Sequence, residues 1–299
     1  RVVPGQAGDL VGFLAAARGE SRRAAKRLLD ERRVFVNGRR VWMARHALRA
    51  GDTVEVAPPA ARAASDTLPV LVEAGPWRIA DKPAGLLSNG DPSSVESRLR
   101  AQLGLPELTA VHRLDRDTTG CLLLARTRSD AERLFPLFRE RRVRKTYLAL
   151  VFGRVGADVR EIRSPIDGEE AVSFLRVVDA NDEASLVEVR IETGRTHQIR
   201  KHLLEIGHPI AGDRAYGNSR ARDARARALP RQMLHAARLS FEDPGTGERV
   251  KAAAPLPADF RAALRAYGLR APDVRTAPTR AAIRDSLLRP VRGRIPFRR

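Results

Sequence analysis

A break in sequence character divides the chain. Residues 58–68 open on Pro58-Pro59, continue through Ala, Arg, Ser and Asp, and read as a linker without apolar periodicity. They separate a short stretch, residues 9–57, from a domain-sized one, residues 69–268. In the larger stretch, Leu186-Val187-Glu188-Val189-Arg190-Ile191 alternates as a strand, and Tyr147-Leu148-Ala149-Leu150-Val151 and Leu137-Phe138 belong to other ordered elements. Thr196 to Ile206 reads as a helix. Strands and helices do not succeed each other as strict βαβ units. The expected class is therefore α+β with a largely antiparallel mixed sheet, preceded by a small α/β module.

The short stretch is patterned throughout. Leu10, Phe13 and Leu14 have helical spacing, and Gly19 stops that helix. Ser21 caps a second helix that turns Ala25, Leu28 and Leu29 inward. Val34-Phe35-Val36, the turn pair Asn37-Gly38 and Arg39-Arg40-Val41 form a hairpin, and Thr53-Val54-Glu55-Val56 a further strand. The second helix carries Arg22, Arg23, Lys26 and Arg27 at i,i+4 spacing, where like charges repel. Between Arg18 and Arg40 there are nine Lys or Arg against three Asp or Glu. A charge run is commonly just a solvated face. This one continues across helix, loop and hairpin, which favours a surface that contacts phosphates.

Charge and cysteine content narrow the partners. The 299 residues carry a net charge of +19, which recruits polyanions, nucleic acid first among them. Arginine-rich coding bias exchanges Lys for Arg without creating such an excess. One cysteine, Cys121, forms no intrachain disulfide and suits a reducing compartment. No apolar run reaches membrane-spanning length, and the start of the chain shows no signal-peptide pattern. A cytoplasmic protein without membrane association is expected.

Several chemistries find no motif. There is no phosphate-binding Gly-Lys-Ser/Thr loop, no dinucleotide fingerprint, no zinc spacing among the histidines and no nucleophile-elbow serine. An enzyme of this sequence is expected to work with side chains alone, without metal or cofactor. The densest polar cluster is His112-Arg113-Leu114-Asp115-Arg116-Asp117-Thr118-Thr119-Gly120, followed by apolar Cys121-Leu122-Leu123-Leu124. Cations around Asp115 favour a carboxylate that serves as nucleophile or base, although structural ion-pair networks share this pattern. A second cluster, Thr193-Gly194-Arg195-Thr196-His197-Gln198-Ile199-Arg200, places Arg195 at a strand-to-helix turn. Gly194 is expected to supply the bend and Thr196 the helix cap.

At these clusters the chain resembles the RluA-type RNA pseudouridine synthases. The resemblance rests on His112 to Gly120, on Lys145-Thr146-Tyr147 and on Thr193 to Arg200. Lys82-Pro83-Ala84-Gly85, Gly207-His208-Pro209-Ile210, Gly212-Asp213, Tyr216-Gly217 and Leu234-His235-Ala236 extend it over nearly all of residues 69–260. Residues 21–56 likewise resemble the small RNA-binding domain named after the fourth small-subunit ribosomal protein. The resemblance implies a cofactor-free isomerase that turns uridine into pseudouridine within structured RNA. Ribosomal RNA ranks ahead of transfer RNA because of the accessory module, and a non-catalytic RNA-binding factor is the rival reading.

The implied roles are specific. Asp115 is the catalytic carboxylate, Arg195 its partner, Tyr147 lies against the uracil, and Leu234 is an apolar wall. Position alone would put Tyr147 and Leu234 in the core. Arg113 fills the gap left by a flipped base, and Lys145 joins the RNA-binding set. His112, His197 and His235 are read as structural. The chain departs from the family pattern at Thr119, Leu86-Leu87-Ser88-Asn89, Gly168 to Ser173 and Phe241 to Pro244. Arg220, Arg222, Arg225, Arg227 and Arg231 lie in a loop read as a clamp for substrate RNA. Residues 269–299 read as a basic disordered tail, and the protein as a monomer.

Overall fold

The computed structural model describes residues 8–30, 34–41, 43–44, 46–56, 67–156, 158–159, 161–217 and 224–274. Arg220, Arg222, residues 58–66 of the expected linker and residues 275–299 of the expected tail lie outside them. The chain divides between Thr67 and Leu68 into two compact units.

The first unit contains α1 (Leu10–Arg18), α2 (Arg22–Asp30), β1 (Val34–Val36), β2 (Arg39–Arg40) and β3 (Val54–Val56). The Asp9 carboxylate accepts from the Gly12 amide at 2.8 Å and starts α1; Gly19, in the left-handed region, ends it. Ser21 Oγ accepts from Ala24 N at 3.2 Å and caps α2. The three strands pair antiparallel in the order β2-β1-β3. Asn37 and Gly38 both take positive φ (50° and 71°), as the tight hairpin turn requires. Asn37 also accepts from Thr53 N and donates to Asp52, pinning the turn to the approach of β3. Leu10, Leu14, Ala25, Leu28, Leu29, Val34 and Val36 form a separate core, while Arg22, Arg23, Lys26 and Arg27 remain exposed.

The second unit runs β4 (Val70–Ala74), β5 (Trp77–Lys82), α3 (Val95–Leu103), β6 (Thr109–Ala110), β7 (Thr119–Ala125), α4 (Arg128–Arg139) and β8 (Arg144–Phe152). It continues with β9 (Glu161–Arg163), β10 (Val172–Ala180), β11 (Ala184–Ile191), α5 (Gln198–Glu205), α6 (Ala224–Ala228), β12 (Leu234–Glu242), β13 (Arg249–Ala253) and α7 (Ala258–Ala266). These ten strands form one sheet in the order β4-β5-β7-β12-β8-β11-β10-β9, with β6 on β7 and β13 on β12. Every pairing is antiparallel except that of β7 with β12. The class is α+β. All seven residues of β7 are buried, which explains why its sequence is a continuous apolar run rather than an alternation.

Residues 269–274 correct the expected tail. Leu269 and Val274 are buried beside Phe260 and Leu264 of α7, and Arg270 N donates to Asp179 at 2.8 Å. Their apolar side chains continue the packing of α7, so the ordered chain passes the expected boundary.

The parallel junction sets up the site. Where β12 reaches β7, Gly120 has φ 105°, and a Cβ there would lie 2.3 Å from the Ala236 carbonyl oxygen. Only glycine fits such an approach. It brings Leu234, at the start of β12, beside β7 and opposite Ala149 of β8.

Candidate active site

Asp115 lies on the loop between β6 and β7, and this loop is tied down residue by residue. Ser88 Oγ accepts from Leu114 N at 2.9 Å and donates to Leu114 O at 3.1 Å. Gly85 N donates to Arg116 O at 2.9 Å, and Arg231 donates to Asp117 O at 3.1 Å. Lys82 is fully buried, and its ammonium donates to the carbonyls of Pro83, Arg116 and Thr118 at 2.9, 2.8 and 2.9 Å. All three Lys82 donors are thus used on backbone. Burial pulls its amine down to about 7, opposed by Asp117 and Asp115. Lys82 and Ser88 are positioning residues; sequence reading named Lys82 only within a family motif and Ser88 only within a departure from one, because their partners lie on a distant loop.

The partner of Asp115 is Arg200, not Arg195. Arg200 donates to Asp115 Oδ2 at 3.0 Å and grips buried Asp213 with two bonds of 2.6 and 2.9 Å. A guanidinium fork suits this double task. Asp213 is itself fixed by the amides of Ala215 and Tyr216, and the Arg200 guanidinium stacks over the Tyr216 ring at 4.9 Å. Asp213 sits on a bend made possible by Gly212, where a Cβ would meet the Arg231 carbonyl at 2.0 Å. His197 Nε2 stands 3.8 Å from Asp115 Oδ1, beyond hydrogen-bond reach, and its Nδ1 bonds the Tyr216 hydroxyl at 3.0 Å.

Arg195 instead faces outward. Its Nε donates to Glu170 O at 3.1 Å, and its other end pairs with Glu169 at 3.2 Å. The reason is helical geometry. Arg200 lies within the first turn of α5, on the face turned to Asp115, whereas Arg195 lies on the turn before the helix. Two further expectations fail at this turn. Positive φ falls on His197 (56°) rather than on Gly194, and His197 precedes the helix without a side-chain cap. The Gln198 carboxamide closes the turn in place of Thr196, accepting from Thr193 Oγ1 and Arg195 N and donating to Val172 O.

Tyr147 and Leu234 lie with Leu114, Ile199 and Ala236 in one buried cluster. Asp115, partly exposed, borders it: burial first, then the Asp115 charge, push the Tyr147 phenol above its ordinary range. The phenol therefore stays protonated at neutral pH. The site thus sets a carboxylate held by one arginine beside a neutral phenol and an aliphatic wall.

The remaining candidates divide. Arg113 is exposed, directly before Leu114. Lys145 is half-buried over the Phe138 ring at 5.5 Å, and burial lowers its amine to about 8. His112 and His235 are held neutral by burial, which pushes them down to about 3 and about 4; His112 accepts from Leu123 N, and His235 bonds Thr119 and Ala254 O. Arg231 leaves the expected clamp: it is buried, pairs with Asp259 through two bonds of 2.7 and 3.0 Å, and spends its remaining donor on backbone carbonyls. Arg225 pairs with Glu183 and stacks over Tyr267. The backbones of Arg39 and Arg40 form β2. Among the described residues no cluster of three or more His, Cys, Asp or Glu is placed to hold a metal, and no helix is long and apolar enough to cross a membrane.

Comparison with known proteins gives consistent matches. A family model described as RNA pseudouridylate synthase matches residues 77–205, and one described as S4 domain matches residues 10–54. The ribosomal large subunit pseudouridine synthase C of Vibrio cholerae serotype O1 is 34% identical over 274 residues, covering 80% of this chain and 86% of that protein. The ribosomal large subunit pseudouridine synthase D of Nitrosomonas europaea is 37% identical over 223 residues; the match covers 67% of this chain and spans 65% of that relative's length. The solved structure of human RNA pseudouridylate synthase domain containing 4 shares the fold, with a TM-score of 0.56 at 24% identity, over 69% of this chain and 95% of its own.

Proposed function

The chain belongs to the RNA pseudouridine synthases, and on that premise we propose that it isomerises specific uridines of ribosomal RNA to pseudouridine. The observation that carries this reading is the Asp115–Arg200–Asp213 chain beside Tyr147 and Leu234. The reaction breaks the C1′–N1 bond, turns the uracil and forms a C1′–C5 bond. One proton leaves C5 and one is gained at N1, so no oxidant, reductant or cofactor is consumed.

Asp115 attacks or deprotonates the ribose, and Arg200 fixes its orientation, contributing by positioning rather than by contact with the base. Tyr147 and Leu234 hold the uracil between an aromatic ring and an aliphatic side chain. A stacked uridine cannot enter a recessed site, so it is flipped out, and Arg113 occupies the vacated place in the stack. Lys145 supplies a cation for a nearby phosphate. The exposed Arg22, Arg23, Lys26 and Arg27 give the first unit a phosphate-contacting face, and Arg39, Arg40, Arg220 and Arg222 are further phosphate-binding residues in this reading. The names of the relatives favour ribosomal over transfer RNA. The enzyme acts as a cytoplasmic monomer.

Pseudouridine mapping across ribosomal and transfer RNA, from cells with and without the gene, tests this reading. One or more ribosomal sites should vanish and return with the wild-type gene but not with Asp115→Ala. Unchanged maps, together with no product from purified protein and RNA, would leave a non-catalytic RNA-binding factor as the better account.

A further inference from the structure

The sheet of the second unit has a basic face on the side away from Tyr147. Register puts Lys251 opposite Ser240 and Ser240 opposite Arg144. The next row runs Arg238, Thr146, Arg190 and Phe174, and the one after places Glu188 opposite Arg176. Residues directly opposite in register share a face, whereas Lys145 and Tyr147 alternate to the other one. Arg144, Arg176, Arg249 and Lys251 are exposed there, and Arg190 and Arg238 are half-buried.

These six cations meet three carboxylates, Glu188, Glu242 and Glu192, the last 4.0 Å from Arg190. Glu188 is held between Arg176 and Arg238. Arg249 and Lys251 make no ion pair among the described residues. Arg190 stacks over the Phe174 ring at 4.5 Å, presenting a flat guanidinium. At the end of the sheet where α4 hands over to β8, a recess is lined by Arg141, Arg142, Arg144, Ser240, Glu242 and Arg249. None of this serves the Asp115 site or the core. Five of the six cations on the sheet are arginines, whose planar fork matches phosphate oxygens.

We propose that this recess and the basic sheet face beside it bind the phosphate backbone of an RNA segment outside the catalytic cleft. The inference rests on RNA being the substrate. Only an extended RNA reaches both sides of the sheet, so a single hairpin seated in the cleft does not use this face.

The test compares wild type with Arg249→Gln/Lys251→Gln, two exposed positions whose loss breaks no ion pair. Affinity is measured over a salt series for a long large-subunit ribosomal RNA transcript and for a single hairpin cut from it. For the long RNA the salt slope should become shallower by about 1 to 2, at roughly 0.7–0.9 per phosphate contact, with hairpin affinity unchanged. Equal weakening on both RNAs, or unchanged binding to both, overturns the proposal; the latter outcome would leave the face to an acidic protein. Failure of wild type to bind either RNA overturns the RNA reading itself.

Discussion

At the scale of single residues, the account depends on which arginine holds Asp115. Arg200→Lys keeps the charge but loses the fork that reaches Asp115 and Asp213 together, so kcat should fall by about a hundredfold, the scale of a misplaced reacting group. Arg195→Leu should leave kcat near the wild-type value, because its partners are Glu169 and Glu170 on the surface. Steady-state kinetics on both variants, with melting curves as a folding control, decide between them. The sequence placed both arginines in one motif, and the resemblance pointed to Arg195, where the structure pairs Arg200 with Asp115. An arginine beside a glycine suggests a turn that reaches into a cleft, while the placing of Arg200 in the first turn of α5 shows only once the start of that helix is known. Asp115 drew notice through the cations crowded around it, a pattern that structural ion-pair networks share, and the family resemblance gave it a role. Tyr147 and Leu234 were singled out only through family resemblance, since their apolar runs read as core.

Lys145 makes a pH-dependent prediction at the same scale. Burial lowers its amine to about 8, so below that pH it carries a proton and attracts phosphate, and above it the charge is lost. A bound phosphate favours the protonated form, so binding takes up a proton above pH 8. RNA affinity should therefore be flat below pH 8 and weaken above it, by at most about tenfold per pH unit for one linked proton. Lys145→Gln should flatten the profile; an unchanged profile in that variant would remove Lys145 from the binding surface. His112 beside it stays neutral across this range and adds no step.

At the scale of elements, the junction of β7 and β12 is the most exacting. Gly120→Ala would place a Cβ 2.3 Å from Ala236 O and force an L side chain into φ 105°. The expected loss is about 2–4 kcal/mol, combining left-handed strain with overpacking. Thermal denaturation should show a clear drop in Tm, and a variant as stable as wild type would contradict the close approach. The small module was readable element by element, because Gly19, Ser21 and Asn37-Gly38 each impose a local geometry. The order of the large sheet was not, since long-range pairings such as Thr119 with His235 leave no local signature. The same holds for the clamp on the Asp115 loop: nothing near Lys82 or Ser88 announces a partner about thirty residues away.

At the scale of the molecule, charge and division belong together. The first unit has its own core, Leu10 to Val36 at its centre, and an exposed basic helix face. Its removal should weaken RNA binding and make the salt dependence shallower, as expected when phosphate contacts are lost. An unchanged salt slope for the shortened protein would deny the unit that role. The net charge of +19 signalled a polyanion, and the motifs around Asp115 and Arg200 specified its chemistry. Neither located the basic rear face, because its cations come from five strands scattered between Arg144 and Lys251 and meet only through sheet register.

The central claim is that Asp115 drives exchange of the C1′–N1 bond for a C1′–C5 bond. Because C5 must lose its hydrogen, the most direct measurement is tritium release from ribosomal RNA labelled at uridine C5, with purified wild type and Asp115→Ala compared at equal RNA occupancy. The account predicts release in step with pseudouridine formed by the wild type, and none above background from the variant. Equal release from both proteins, or none from a wild type that binds the RNA, would contradict it.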